Sequence, residues 1–212
     1  MPTVKLLVLG GSGGTGRQIV GQALDAGHDV TVVTREPGKL ALHHPHLKIV
    51  SGDTTAGGAA LTGITRGQDA VISTIGRGKT FRSDGLIQRS VPAILGAMQT
   101  AGVRRLMFTS ALGVGDTFRD SPILPKVFFK TLLRDIYADK LAGDDLIRAS
   151  GLDWTIVQPS VLTDGALTRK YRSGEHLPLS GMPSISRADT AHYILDRLND
   201  TSTVGKTIIL SN

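Results

Sequence analysis

Apolar positions fall into short continuous runs separated by longer segments with helical spacing. Seven runs have strand length: residues 4–9, 30–34, 47–50, 70–74, 105–109, 154–158 and 207–210. Runs that are apolar without alternation fit strands covered on both faces, as in parallel sheets. Between them, 14–27 carries Ile19, Val20, Ala23 and Leu24 on one face, and 84–101 carries Ile87, Val91, Ile94, Leu95 and Met98. Pro92 is expected to kink the second of these helices. A third helix is predicted from 124 to 150, stopping at Gly151. Ser186-Arg187-Ala188-Asp189 reads as a capping box opening the last one. Strand and helix in alternation predict one α/β domain over 1–212, a Rossmann-type, doubly wound, mostly parallel sheet with helices on both faces. No repeat, low-complexity tract or linker divides the chain.

Composition narrows the function classes. The chain holds no cysteine, which excludes a disulfide framework and any thiolate metal site, so redox chemistry would need a borrowed cofactor. The apolar stretch 6–9 near the N-terminus is too short for a signal-peptide core or a membrane span, and a cytoplasmic protein without a membrane partner is expected. A formal charge of +6 raises the question of nucleic acid. Its distribution argues otherwise: basic residues are interleaved with acids, as in Arg134-Asp135 and Asp139-Lys140, and aromatics make up only 4% of the chain. The partner expected is a small molecule; a monomer is compatible with the sequence, which does not fix the oligomeric state.

Gly10-Gly11-Ser12-Gly13-Gly14-Thr15-Gly16 follows the first strand directly and opens the first helix. Backbone amides there point at whatever lies above the helix N-terminus, which suits a phosphate. Gly10, Gly13 and Gly16 are spaced for a tight turn, a close approach to pyrophosphate and close helix–strand packing. The second strand ends at Arg35, where the adenine ribose of a dinucleotide would lie. A guanidinium there can clasp a 2′-phosphate, with Lys39 as a second cation, which favours NADP(H). The competing reading has Arg35 solvated and Glu36 turned back to take a ribose hydroxyl. Asp53-Thr54, after the third strand, are placed to reach the adenine, or else form a structural turn.

The glycine turn, Val33-Thr34-Arg35, Gly52-Asp53, Gly67-Gln68-Asp69-Ala70-Val71-Ile72 with Gly76-Arg77, Thr109-Ser110-Ala111, Ser150-Gly151-Leu152-Asp153-Trp154, Gln158-Pro159 and Ile185-Ser186-Arg187-Ala188-Asp189 together resemble the NmrA-like, atypical short-chain dehydrogenases/reductases. Within that group the chain is most similar to the biliverdin-IXβ reductase and flavin reductase family. The resemblance implies that Thr15, Gly16 and Arg17 contact the pyrophosphate, Arg35 the 2′-phosphate, and Gly76, Arg77, Ser110 and Pro159 the nicotinamide side.

Carbonyl-reducing short-chain dehydrogenases carry Tyr-x-x-x-Lys on a helix, because i and i+4 share a face and the lysine lowers the tyrosine's pKa. Here Lys140 holds the lysine position and joins the cofactor-binding set, but Ile136 holds the tyrosine's. Tyr137 is one residue away, about 100° round the helix. That departure disfavours alcohol dehydrogenation and sugar epimerisation. The reductases that this chain resembles lack the tyrosine too, passing hydride to an electron-poor conjugated acceptor (flavin, quinone or tetrapyrrole) with a proton from solvent. A histidine that they carry after the strand-six proline is replaced by Ser160, which puts biliverdin itself in doubt. Ser110, ending a parallel strand at the sheet's carboxyl edge, is the expected catalytic hydroxyl. The other function class left open is a non-catalytic NADP(H)-sensing module.

Three further features are given plainer readings. His43-His44-Pro45-His46 reads as surface loop, with no metal expected. Lys140 and Asp144 read as a helix-surface ion pair. Phe118, Phe128 and Phe129 read as packing residues near the substrate-side segments 111–123 and 160–184.

Overall fold

The computed structural model describes residues 3–76, 83–119 and 134–212. Ten strands lie among them: β1 (Lys5–Leu9), β2 (Asp29–Thr34), β3 (Leu47–Ser51), β4 (Ala70–Ser73), β5 (Arg105–Thr109), β6 (Asp153–Pro159), β7 (Val161–Thr163), β8 (Arg172–Gly174), β9 (Ser184–Ser186) and β10 (Lys206–Ser211). The main sheet has the order β3-β2-β1-β4-β5-β6-β10-β8. Its neighbours are parallel except β8, which pairs antiparallel with β10 at one edge. β7 and β9 form a separate parallel pair. All seven strands predicted from apolar runs are present and parallel.

Alternate residues of the buried strands feed two cores. Leu6, Val8, Val30 and Val32 turn toward α1 (Gly14–Asp25) and α5 (Arg187–Asp196), meeting Ile19, Val20, Ala191 and Ile194. Leu7, Leu9 and Val71 turn the other way, toward α2 (Gly58–Thr65), α3 (Leu86–Ala101) and α4 (Arg134–Arg148), meeting Leu61, Ile94, Met98 and Ile147. A strand so used has no polar face, which is why its sequence reads as an unbroken apolar run.

The structure departs from the sequence reading at several elements. α2 was not predicted: its eight residues include two glycines and bury only Leu61 and Thr65, so no apolar stripe marks it. The three-residue strands β7, β8 and β9 are also additions. α3 runs through Pro92 as one helix. Of the predicted third helix, the part before residue 134 lies outside the described residues. The rest forms α4 and ends as expected near Gly151, whose φ is +69°.

α3 starts without a local side-chain cap, after Asp84 and Gly85 at φ +47° and +59°. Its cap comes from α4: the Asp139 carboxylate accepts from the amides of Ile87 and Gln88, each at 3.0 Å. Gly143 permits that approach, because a Cβ there would stand 2.3 Å from Ile87 Cγ2. At α5, Ser186 caps the Asp189 amide at 2.9 Å, as the capping box predicts. The Asp189 carboxylate, rather than closing the box, accepts from the amides of Thr168 and Arg169 at 2.8 and 2.7 Å and ties that loop down.

Candidate functional site

β1 and β4 are neighbours, and the chain continues outward from each in opposite directions, so a crevice opens at their carboxyl ends. The glycine turn fills this switch point. Gly10 has φ +83°, and a Cβ there would stand 2.9 Å from the Thr74 carbonyl carbon. At Gly16 a Cβ would stand 2.2 Å from the Gly10 carbonyl oxygen, and at Gly11 2.7 Å from Val32 Cγ1. Gly13 differs, meeting only the Gly10 oxygen at 3.3 Å. It is the N-cap of α1, offers no side-chain cap, and is followed by no acidic residue in the first turn. The amides of Gly14, Thr15 and Gly16 find no acceptor among the described residues. A bare helix N-terminus with a Cβ-free approach can hold an anion. Ser12 is fixed beside it, accepting from the Thr34 hydroxyl at 3.3 Å.

The residues assigned to the adenosine end gather after β2. Arg35 is exposed. Lys39 Nζ lies 2.8 Å from Glu36 Oε1, so the carboxylate that the sequence left as a competitor is engaged by a lysine. Arg17 reaches away from the pyrophosphate position that the resemblance implied: its Nη2 donates to the Lys39 carbonyl at 2.7 Å, a reach that α1 allows because the 37–39 turn packs beside it. Asp53 closes the structural turn that the sequence left open, its Oδ1 accepting from the Thr55 amide and hydroxyl, both at 2.8 Å. Those bonds, helped by Arg35 and Arg89, hold its pKa below the usual aspartate range. Thr54 is half-buried beside it.

At the other end of the crevice Ser110 is buried just beyond β5, its amide donating to the Val157 carbonyl at 2.8 Å. Asp144 on α4 is fully buried, not on the surface. Its Oδ2 accepts from Gln158 Nε2 at 3.3 Å, and Gln158 also donates to the Val114 carbonyl at 3.1 Å and accepts from the Thr117 hydroxyl. Burial pushes the Asp144 pKa up to about 6, opposed by the nearby Ser110 hydroxyl, Lys140 and Arg148. Lys140 makes no ion pair within 4 Å among the described residues, which corrects the surface pair read from the sequence; burial draws its pKa down, against the pull of Asp144 and Asp139. Among the described residues, four buried side-chain atoms at this edge lack a well-formed hydrogen bond: Ser73 Oγ, Thr109 Oγ1, Ser110 Oγ and Asp144 Oδ1.

Tyr137 donates its hydroxyl to the Leu112 carbonyl at 2.9 Å, and burial pushes its pKa up. Beside it, Gly113, Val114, Gly115, Phe118 and Leu141 help line a cavity of about 550 Å³. Pro159 is the buried last residue of β6, its carbonyl accepting from the Leu112 amide at 3.1 Å. Gly76 is exposed after β4; Arg77, Phe128 and Phe129 lie outside the described residues. In the histidine loop, His46 Nδ1 lies 2.7 Å from Asp29, and no group of three or more metal-ligating side chains gathers among the described residues. Sequence reasoning missed Asp144 as a buried group, gave Gln158 no role beyond its place in a motif, and did not single out Thr117. The one local signal was Gln158, a polar residue inside an apolar strand.

A doubly wound parallel sheet with a glycine turn at its switch point and unfilled helix amides above it defines a dinucleotide-binding Rossmann domain. The model of the NAD(P)H-binding family matches residues 10–201, and the chain belongs to that family. Its homologues and structural neighbours are atypical, NmrA-like short-chain dehydrogenases/reductases, as the sequence resemblance implied. The chain is 29% identical to the UPF0659 protein YMR090W of Saccharomyces cerevisiae, with 100% of this chain and 95% of that protein covered. It is 26% identical to the (4-alkanoyl-5-oxo-2,5-dihydrofuran-3-yl)methyl phosphate reductase of Streptomyces griseus, over 77% of this chain and 50% of the relative. A Rossmann-fold NAD(P)-binding family protein from Shigella flexneri superposes with a TM-score of 0.73 at 25% identity, covering 99% of this chain and 93% of that one.

Proposed function

We propose that the chain is an NADPH-dependent reductase of flavins or similarly conjugated small molecules. One observation carries this reading. Ile136 stands where a carbonyl-reducing relative holds its tyrosine, and the neighbouring Tyr137 hydroxyl is spent on the Leu112 carbonyl at 2.9 Å. Without a tyrosine acid, the acceptor must be one that takes hydride at an electron-poor centre and collects its proton from solvent. The Streptomyces griseus relative is named as a reductase of a 5-oxo-2,5-dihydrofuran, itself a conjugated ring.

NADPH, when bound, supplies the hydride. The chain's own residues bind and orient. The amides of Gly14, Thr15 and Gly16 hold the diphosphate, and Arg35 takes the 2′-phosphate while Lys39 keeps Glu36 occupied. Ser110, beside the buried Asp144, fixes the nicotinamide or the acceptor in line, and the segments 111–119 and 160–184 cover the acceptor side. Purified protein screened against FMN, a quinone and a linear tetrapyrrole, following NADPH absorbance, is expected to oxidise NADPH steadily with at least one of them. Tight NADPH binding with no oxidation by any acceptor would overturn the reading in favour of a cofactor-sensing module.

A further inference from the structure

We propose that Arg187 grips the diphosphate of the dinucleotide and that Asp164 holds the guanidinium in readiness until that anion arrives. The space that a side chain would fill at Gly14, the first residue of α1, is taken by Arg187: its Cδ and Nε each lie 2.7 Å from where a Cβ would stand. The guanidinium therefore lies against the first turn of α1, next to the amides of Gly14, Thr15 and Gly16 that find no acceptor among the described residues. Of its donors, only Nη1 has a partner among the described residues, Asp164 Oδ1 at 2.6 Å.

A cation beside the positive end of a helix is unfavourable by itself. It becomes favourable with an anion between the two, and Asp164 supplies only a partial one: its side chain is 90% exposed against 28% for Arg187, so it is free to swing away. Arg187 is not free in the same way. It directly follows the capping residue Ser186, and Gln22 of α1 donates to the adjacent Ala188 carbonyl at 2.9 Å, fixing α5 against α1. A guanidinium held rigidly at a phosphate-binding turn, with its remaining donors unused, matches the geometry of a diphosphate. The inference rests on the dinucleotide lying over the glycine turn. Because the diphosphate is common to both nicotinamide dinucleotides, Arg187 adds affinity for each and has no part in choosing between them.

Calorimetric titration of NADPH and NADH into the parent protein and into Arg187→Ala, Arg187→Lys, Asp164→Ala and Arg35→Ala tests this. Arg187→Ala is expected to weaken both dinucleotides by the same factor, roughly tenfold or more. Arg187→Lys should recover part of that loss, and Asp164→Ala should tighten both. Arg35→Ala should weaken NADPH alone. A purely structural ion pair would make Arg187→Ala and Asp164→Ala shift affinity in the same direction, which overturns the proposal. Unchanged affinities in Arg187→Ala overturn it while leaving the cofactor reading intact, and a parent protein that binds neither dinucleotide overturns both. Should Arg187→Ala fail to fold, tightening in Asp164→Ala supports the proposal and weakening overturns it.

Discussion

Arg35 and Asp144 mark the two ends of the crevice, and each makes a prediction at the scale of one side chain. Charge-assisted hydrogen bonds from a guanidinium to a phosphate contribute roughly 1.5–3 kcal/mol, so Arg35→Ala should lower the NADPH-over-NADH preference by about 10- to 150-fold in a binding titration. A parent protein that binds both cofactors equally would contradict this and return the weight to Glu36. Asp144 predicts a pH dependence of stability. Its folded pKa, about 6, stands above the 3.8 of an ordinary aspartate, so folding takes up a proton in that window and stability falls as pH rises through it. Asp53, Asp153, Asp189 and Asp200 are shifted downward and act with the opposite sign, at lower pH. Comparing Asp144→Asn with the parent isolates the one group: its melting temperature relative to the parent should rise between pH 4 and pH 7. A constant difference would mean that Asp144 is not held protonated.

At the scale of elements, the glycine turn separates binding from folding. At Gly13 a Cβ would stand 3.3 Å from the Gly10 carbonyl oxygen, a tight contact that a shift of a few tenths of an ångström relieves, and the backbone is extended, φ −74° and ψ 168°, which valine tolerates. Gly13→Val should therefore leave thermal stability close to the parent's while abolishing dinucleotide binding, because the β-branched side chain occupies the phosphate's space. At Gly16 a Cβ would collide with the Gly10 carbonyl oxygen at 2.2 Å, so Gly16→Ala should lower the melting temperature as well. Normal binding by a folded Gly13→Val would show that this turn is not the phosphate site. The turn was legible because strand, glycines and helix are contiguous, and the same holds for the seven parallel strands and the Ser186 cap. α2 was illegible for want of an apolar stripe. Asp139 capping α3 from 52 positions away, and Asp144 meeting Gln158 across the turn into β6, are products of packing that no local spacing announces.

Across the whole molecule, the excess of +6 includes a set of cations near the carboxyl ends of the strands. Arg17 lies against the 37–39 turn, Arg35 and Arg89 near Asp53, and Arg187 against α1. Such a grouping draws anions toward the carboxyl ends of the strands. The sheet brings the glycine turn, the β2 cations and Ser110 to its carboxyl edge, where sequence reading had set the turn and Ser110 because each directly follows a strand. That reading did not anticipate how the tyrosine next to the vacant acid position is used. NADPH oxidation with FMN, measured side by side for the parent, Tyr137→Phe and Ser110→Ala, tests the account most directly. Loss of a general acid typically costs about 10²–10⁴ in rate, so Tyr137→Phe should stay within a few-fold of the parent. Ser110→Ala should fall by about 10²-fold through misplacement of the reacting rings. A hundredfold loss in Tyr137→Phe with Ser110→Ala unimpaired would contradict the account and restore a carbonyl substrate with Tyr137 as its acid.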